Sequence, residues 1–203
     1  MSDTNAPSAP NAQRLLWAGF MAILAAGVGF SIRGGILGQW AEQYGFTMTE
    51  LGGITGGGLT GFGLIILLSS FLADTLGYGR LMALAFLMHL ISAILTLAAG
   101  PAFASGGKEA AYQCLFWGMF LFAIGNGIAE AVVNPLVATL FPENKTHYLN
   151  ILHAGWPGGL IVGGLASYFM NPDGAKPVAW QIQISLFMVP VILYGLMLLG
   201  QKF

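Results

Sequence analysis

The chain has 203 residues, 56% hydrophobic and only 7% charged, with a mean hydropathy of +0.75. A soluble domain carries about 25% charged residues, so this chain cannot clothe itself in a polar surface and reads as an all-α, multi-spanning membrane protein. Its net charge of -1 gives no basis for a nucleic-acid partner, and its single cysteine, Cys114, makes neither an intrachain disulfide nor a zinc cluster. Such a thiol in an apolar run reads as a small core hydrophobe.

Residues 1–13, mostly Ser, Asp, Asn, Ala and Pro, read as a disordered cytoplasmic tail lacking the basic segment of a signal peptide. Residues 14–203 read as one transmembrane unit of six apolar runs, near 15–40, 50–73, 80–100, 110–141, 147–170 and 178–201. Each reaches the ~20 residues a bilayer requires.

The first run holds Arg33, about 28 Å along the helix from Arg14. That predicts a cation near the outer mouth, either snorkelling outward or contacting a solute. Gln39, Gln181 and Gln183 are expected at the same level, solvated. Glu42-Gln-Tyr-Gly45 reads as a linker, and Thr47-Met-Thr-Glu50 as a capping box with Phe46 and Leu51 as its staple. In the second run Gly53, Gly57 and Gly61 are spaced by four, as are Gly155, Gly159 and Gly163 in the fifth. Small residues at that spacing let helices approach closely in lipid, either as static packing or as seams that slide.

Ser70-Phe-Leu-Ala-Asp74-Thr-Leu-Gly77-Tyr-Gly-Arg80 links the second and third runs, and Asp74 at a helix end could meet a helix N-terminus or Arg80 as a latch. His89 is isolated among apolar residues and reads as structural. Residues 101–108 read as a small-residue loop.

The fourth run carries the most informative stretch. Glu130 lies deep in it, with Asn126 and Asn134 four residues to either side. Residues four apart share a helix face, so the three form a stripe about 12 Å long. A carboxylate at membrane depth costs on the order of 2.5–3.5 kcal/mol, so the stripe should face a cavity or a helix seam. Glu130 is about 16 Å from the run's inner end at Phe141, near mid-membrane. In the fifth run Asn150, His153 and Trp156, spaced by three, share a face and could meet Glu130 at one pocket. Amides, a carboxylate and a stackable ring suit a sugar. Each also has a plainer role: Glu130 as interhelical glue, Asn134 as repair of the backbone at Pro135, His153 and Trp156 as packing.

With the N-terminus inside, Arg14, Arg80, Lys145 and Lys202 lie in the cytoplasm against Lys108 and Lys176 outside, the direction the positive-inside rule requires. The expected location is the cell's inner membrane.

Asp74-x-x-Gly77 resembles the signature loop of the major facilitator superfamily, with Ser70, Thr75 and Arg80 departing from its pattern. Gly127-x-x-Glu130-x-x-x-Asn134-Pro135, Leu140-Phe-Pro142 and Leu149-Asn-Ile-Leu-His-Ala154 resemble the fucose and glucose–galactose permease branch, which couples sugar uptake to protons. The resemblance covers essentially the whole chain as one N-terminal half and is most specific over 125–164. It implies two inverted three-helix repeats, with the first and fourth helices lining the cavity. It further implies a part for Glu130 in proton-coupled solute uptake. Together with the spacing above, the candidate solute ligands are Glu130, Asn126, Asn134, Asn150, His153, Trp156 and Arg33, with proton coupling at Glu130 and a latch of Asp74, Gly77 and Arg80. The branch's helix 1 carboxylate has no counterpart; Arg33 stands in that helix instead.

The expected partners are the bilayer, a small polar solute such as a monosaccharide, and a second six-helix half, either a C-terminal domain or a second copy. The alternative is a non-transporting scaffold or assembly subunit, or an inactive fragment of a carrier. An enzyme is not expected, nor a cofactor or metal: no metal-ligand spacing, nucleophile–base pairing or phosphate-cradling loop is present, and the glycine runs sit inside spans.

Overall fold

The computed structural model describes residues 9–203, less the side chains at 59 and 70–74. Among the described residues every regular element is helical: α1 (Ala12–Gly35), α2 (Leu37–Tyr44), α3 (Met48–Leu76), α4 (Tyr78–Leu140), α5 (Lys145–Met170), α6 (Trp180–Ser185) and α7 (Met188–Leu198). Four stretches are long and apolar enough to cross a bilayer: Ala12–Gly35, Met48–Ser69, Tyr78–Leu140 and Trp180–Leu198. α5 has the length, at 26 residues, but is less apolar. The molecule is a helical membrane protein.

Several boundaries differ from the sequence expectation. Ala12, within the expected tail, is already helical and buried; residues 1–8 of that tail lie outside the described residues. The linker expected from Glu42 is helical as far as Tyr44, because the stop signal is Gly45 (φ 69°), whose N–H closes on the Ala41 carbonyl at 2.9 Å. A left-handed glycine ends a helix more decisively than a charged residue does. The capping box forms as expected. Glu50 Oε2 accepts the Thr47 N–H at 2.7 Å, the Glu50 N–H donates to Thr47 Oγ1 at 3.3 Å, and Phe46 and Leu51 are buried.

The expected loop over 101–108 is helix instead. A straight α4 of 63 residues would be about 95 Å long, three times the thickness of a bilayer's hydrocarbon. It is not straight. Gly107 alone leaves helical geometry (φ 72°, ψ -161°), and there the helix folds back on itself. Ser92 Oγ donates to the Gly118 carbonyl at 2.7 Å, and His89 Nε2 lies 2.9 Å from Asn126 Oδ1. α4 is thus a hairpin with arms 78–106 and 108–140.

Two glycine seams set the packing. Along α5, Gly155, Gly159 and Gly163 lie on α1 backbone against backbone: a Cβ on Gly155 would sit 3.0 Å from the Phe20 carbonyl, on Gly159 2.9 Å from Val28 N, and on Gly163 2.8 Å from the Val28 carbonyl. Partner numbers rise together, so α1 and α5 run parallel. Along α3, Gly53, Gly57 and Gly61 instead receive the Tyr112, Phe116 and Phe120 rings of the second arm of α4, again in parallel register. Those rings stack on one another at 6.2 and 6.4 Å. Where hydrophobicity gives no advantage, as in lipid, such close contact supplies the dispersion that holds helices together. α7 closes the core against α1 and the first arm of α4, where a Gly195 Cβ would strike Phe86.

Candidate functional site

Glu130 lies on the second arm of α4, half-buried, at the edge of a hollow of about 520 Å³. The other walls are Phe30, Ser31 and Gly34 of α1, Phe62 of α3, and Trp156 and Leu160 of α5. Four elements converge because the two seams bring α5 onto α1 and the second arm onto α3. One turn on, Asn134 Nδ2 donates to Glu130 Oε2 at 3.2 Å and to the Glu130 carbonyl at 2.9 Å. Pro135 removes the N–H that would have bonded the carbonyl four residues back, at Ala131. Asn134 therefore does not restore that lost bond; it steadies the carboxylate.

Asn126 does not join them. It is buried, and its Oδ1 meets His89 Nε2 while His89 Nδ1 lies 2.8 Å from the Tyr194 hydroxyl. This chain ties both arms of α4 to α7, with His89 in the structural position expected of it. The Asn126 Nδ2 group has no partner among the described residues.

Arg33 is also internal rather than at an outer mouth. It is 1% exposed, donates to Ser92 Oγ at 3.1 Å and to the Gly29 carbonyl at 3.2 Å, and lies 3.8 Å from the Phe122 ring centroid and 4.7 Å from that of Phe187. Two ring faces and a hydroxyl take the place of a counter-ion. Cation–π attraction of this kind strengthens where water is absent. Neither snorkelling nor an opening to the outside is compatible with that burial.

Asn150 and His153 share the exposed face of α5 with Trp156, but of these three only Trp156 lines the hollow. The site expected from the sequence thus separates into Glu130 and Trp156 at one hollow, Asn134 bonded to Glu130 behind it, Asn126 and Arg33 in the packed interior, and Asn150 and His153 on an open helix face. The expected solvation of Gln183 fails: it is buried and bonds Asn171 at 3.0 Å, whereas Gln39, which bonds Asn171 at 2.9 Å, is half-buried and lines an open groove.

Of the latch residues, the Asp74 side chain lies outside the described residues. Gly77 is the single residue between α3 and α4, with φ 78°, a conformation that suits glycine because it has no Cβ. Arg80 is exposed and borders a separate groove with Phe86, Ile192 and Phe203.

Phe30, Ser31, Gly34, Phe62 and Leu160 carry no polar pattern that would have marked them as site residues. Ser92 and Tyr194, which complete the interior network, are isolated polar side chains in apolar runs, and that was the available signal. Among the described residues no cluster of His, Cys, Asp or Glu could hold a metal. No family model matches the chain, and no curated protein matches it.

Proposed function

We propose that this chain is one half of a secondary carrier of major facilitator type. It would move a small solute by alternating access, with Glu130 as solute ligand or proton carrier. The observation that carries this reading is Glu130 itself: a carboxylate inside an apolar span, opening onto a hollow and without an ion pair among the described residues. An ionisable group so situated marks a solute or ion pathway by default.

The inverted-repeat arrangement has support of its own. Taking α1–α2, α3 and the first arm of α4 as one triplet, and the second arm, α5 and α6–α7 as the other, the seam of α5 on α1 corresponds to that of α3 on the second arm. Both seams use three glycines spaced by four, and both are parallel. The triplet openers, α1 and the second arm, hold the two deep charges Arg33 and Glu130.

Orientation has similar support. Arg14 caps the end of α7 at the Met197 carbonyl (2.7 Å), and Phe203 packs over Gly79, which gathers Arg14, Arg80 and Lys202 at one end. Lys145 starts α5, parallel to α1, at that same end. Lys108 pairs with Glu50 at the other, where Lys176 borders a groove with Gln39. This distribution favours a cytoplasmic N-terminus in the inner membrane. The face carrying the hollow, α1–α3–α4–α5, would pair with a second six-helix half.

The test is solute binding by the reconstituted chain, repeated with Glu130→Gln. Saturable, pH-dependent binding lost in a folded variant supports the carrier; binding indifferent to the substitution removes Glu130 from the pathway. The scaffold reading keeps one observation in its favour: Asn126 and Arg33 serve only as interhelical ties.

A further inference from the structure

Among the described residues, the carboxylate in the hollow has no counter-charge. All seven Lys and Arg residues and all three His are among the described residues, and none pairs with Glu130. The nearest cation in sequence to the α1 wall, Arg33, directs its guanidinium to Ser92, Phe122 and Phe187 instead. Asn134 reaches Oε2 only; among the described residues no hydrogen bond reaches Oε1. Around that half-free charge the walls are three aromatic rings, Phe30, Phe62 and Trp156, with Ser31 the one hydroxyl.

A monosaccharide presents several hydroxyls, each needing a donor or an acceptor; of the amides expected to supply them, Asn126 is in the interior, Asn150 is on an open helix face, and the Asn134 Nδ2 group is committed to Glu130. Aromatic rings around a carboxylate satisfy a different ligand. A ring face attracts a cation through its quadrupole, most strongly where water is excluded, and the carboxylate neutralises it. The volume suits a molecule of small-ligand size. The geometry points to an organic ammonium ion, a protonated or quaternary amine with an apolar body, as the ligand of this hollow, its charge on Glu130 and its body against Trp156, Phe30 and Phe62. This rests on the carrier reading and narrows its substrate class.

The experiment uses the whole chain in phosphatidylcholine nanodiscs and radiolabelled benzyltrimethylammonium as probe, with glucose, galactose and fucose in parallel arms. The expected result is saturable ammonium binding that the three sugars do not displace. It weakens about tenfold or more in Glu130→Gln and by several-fold in Trp156→Leu, while Glu130→Asp, which keeps the charge, retains it. Should Glu130→Gln fail to fold, Phe62→Leu and Trp156→Leu carry the test alone, and unchanged affinity in both overturns the proposal. Ammonium binding that ignores Glu130→Gln overturns it too. Sugar binding without ammonium binding overturns the substrate class and leaves the carrier reading standing; no binding of either probe overturns both.

Discussion

Phe122 is the residue on which two buried polar side chains, Arg33 and His89, converge. Arg33 stacks on its face, and the His89 ring lies 5.8 Å from it. The polar groups around it are worth most as partners to one another, because hydrocarbon offers no water to replace a lost hydrogen bond. His89 serves two of them. His89→Ala leaves both Asn126 and the Tyr194 hydroxyl unpaired, and should cost about 1–3 kcal/mol in reversible unfolding from detergent. Asn126→Ala orphans only one ring nitrogen and should cost less; the reverse order would contradict the network. Arg33→Lys keeps the charge but loses the planar fork that spans Ser92 and two rings, so it too should destabilise, by about 1–2 kcal/mol. Glu130 was legible in the sequence because a carboxylate in an apolar run has few places to go. The fate of its two neighbours was not. Steps of four residues drift about 40° round a helix of 3.6 residues per turn. Over the eight residues from Asn126 to Asn134 the drift is about 80°, enough to put one in the interior and the other beside the Glu130 carboxylate. The destination of Arg33 depended on Ser92, 59 residues away, and no local pattern could supply that.

Among the elements, the glycine seams were visible as spacing, but their two kinds were not. Backbone lies on backbone between α5 and α1, whereas α3 receives ring edges that can swing aside. Gly159→Ala should therefore destabilise by about 1–3 kcal/mol. Gly158→Ala, one residue away, meets only the Leu24 Cδ1 atom at 3.8 Å and should be neutral or gain up to about 1 kcal/mol from helix propensity. Thermal unfolding of the two variants side by side checks the seam; equal effects would refute it. The α4 hairpin makes a similar claim about one residue. Gly107 sits in a backbone region that is essentially glycine's alone, so Gly107→Ala should cost about 1–3 kcal/mol in the same measurement. Pro101 and the small residues after it resemble a loop in composition. Helix geometry nevertheless continues on both sides of Gly107, and that single glycine suffices for the reversal. The capping box at Thr47 was read correctly because both of its partners are local.

At the scale of the whole molecule, the membrane-spanning character and the pairing of ends followed from composition and charge, while the hollow required tertiary structure. Its aromatic walls come from three helices and are indistinguishable in sequence from ordinary apolar packing. The central claim is that the carboxylate at 130 borders a passage that water reaches, whereas the amide at 126 does not. Thiol accessibility tests this directly. In a Cys114→Ser background, Glu130→Cys and Asn126→Cys are each reconstituted in vesicles and exposed to a membrane-impermeant maleimide from either side. The account predicts labelling at position 130 and protection at 126 in folded protein. Protection at both positions, or equal labelling at both, would contradict it.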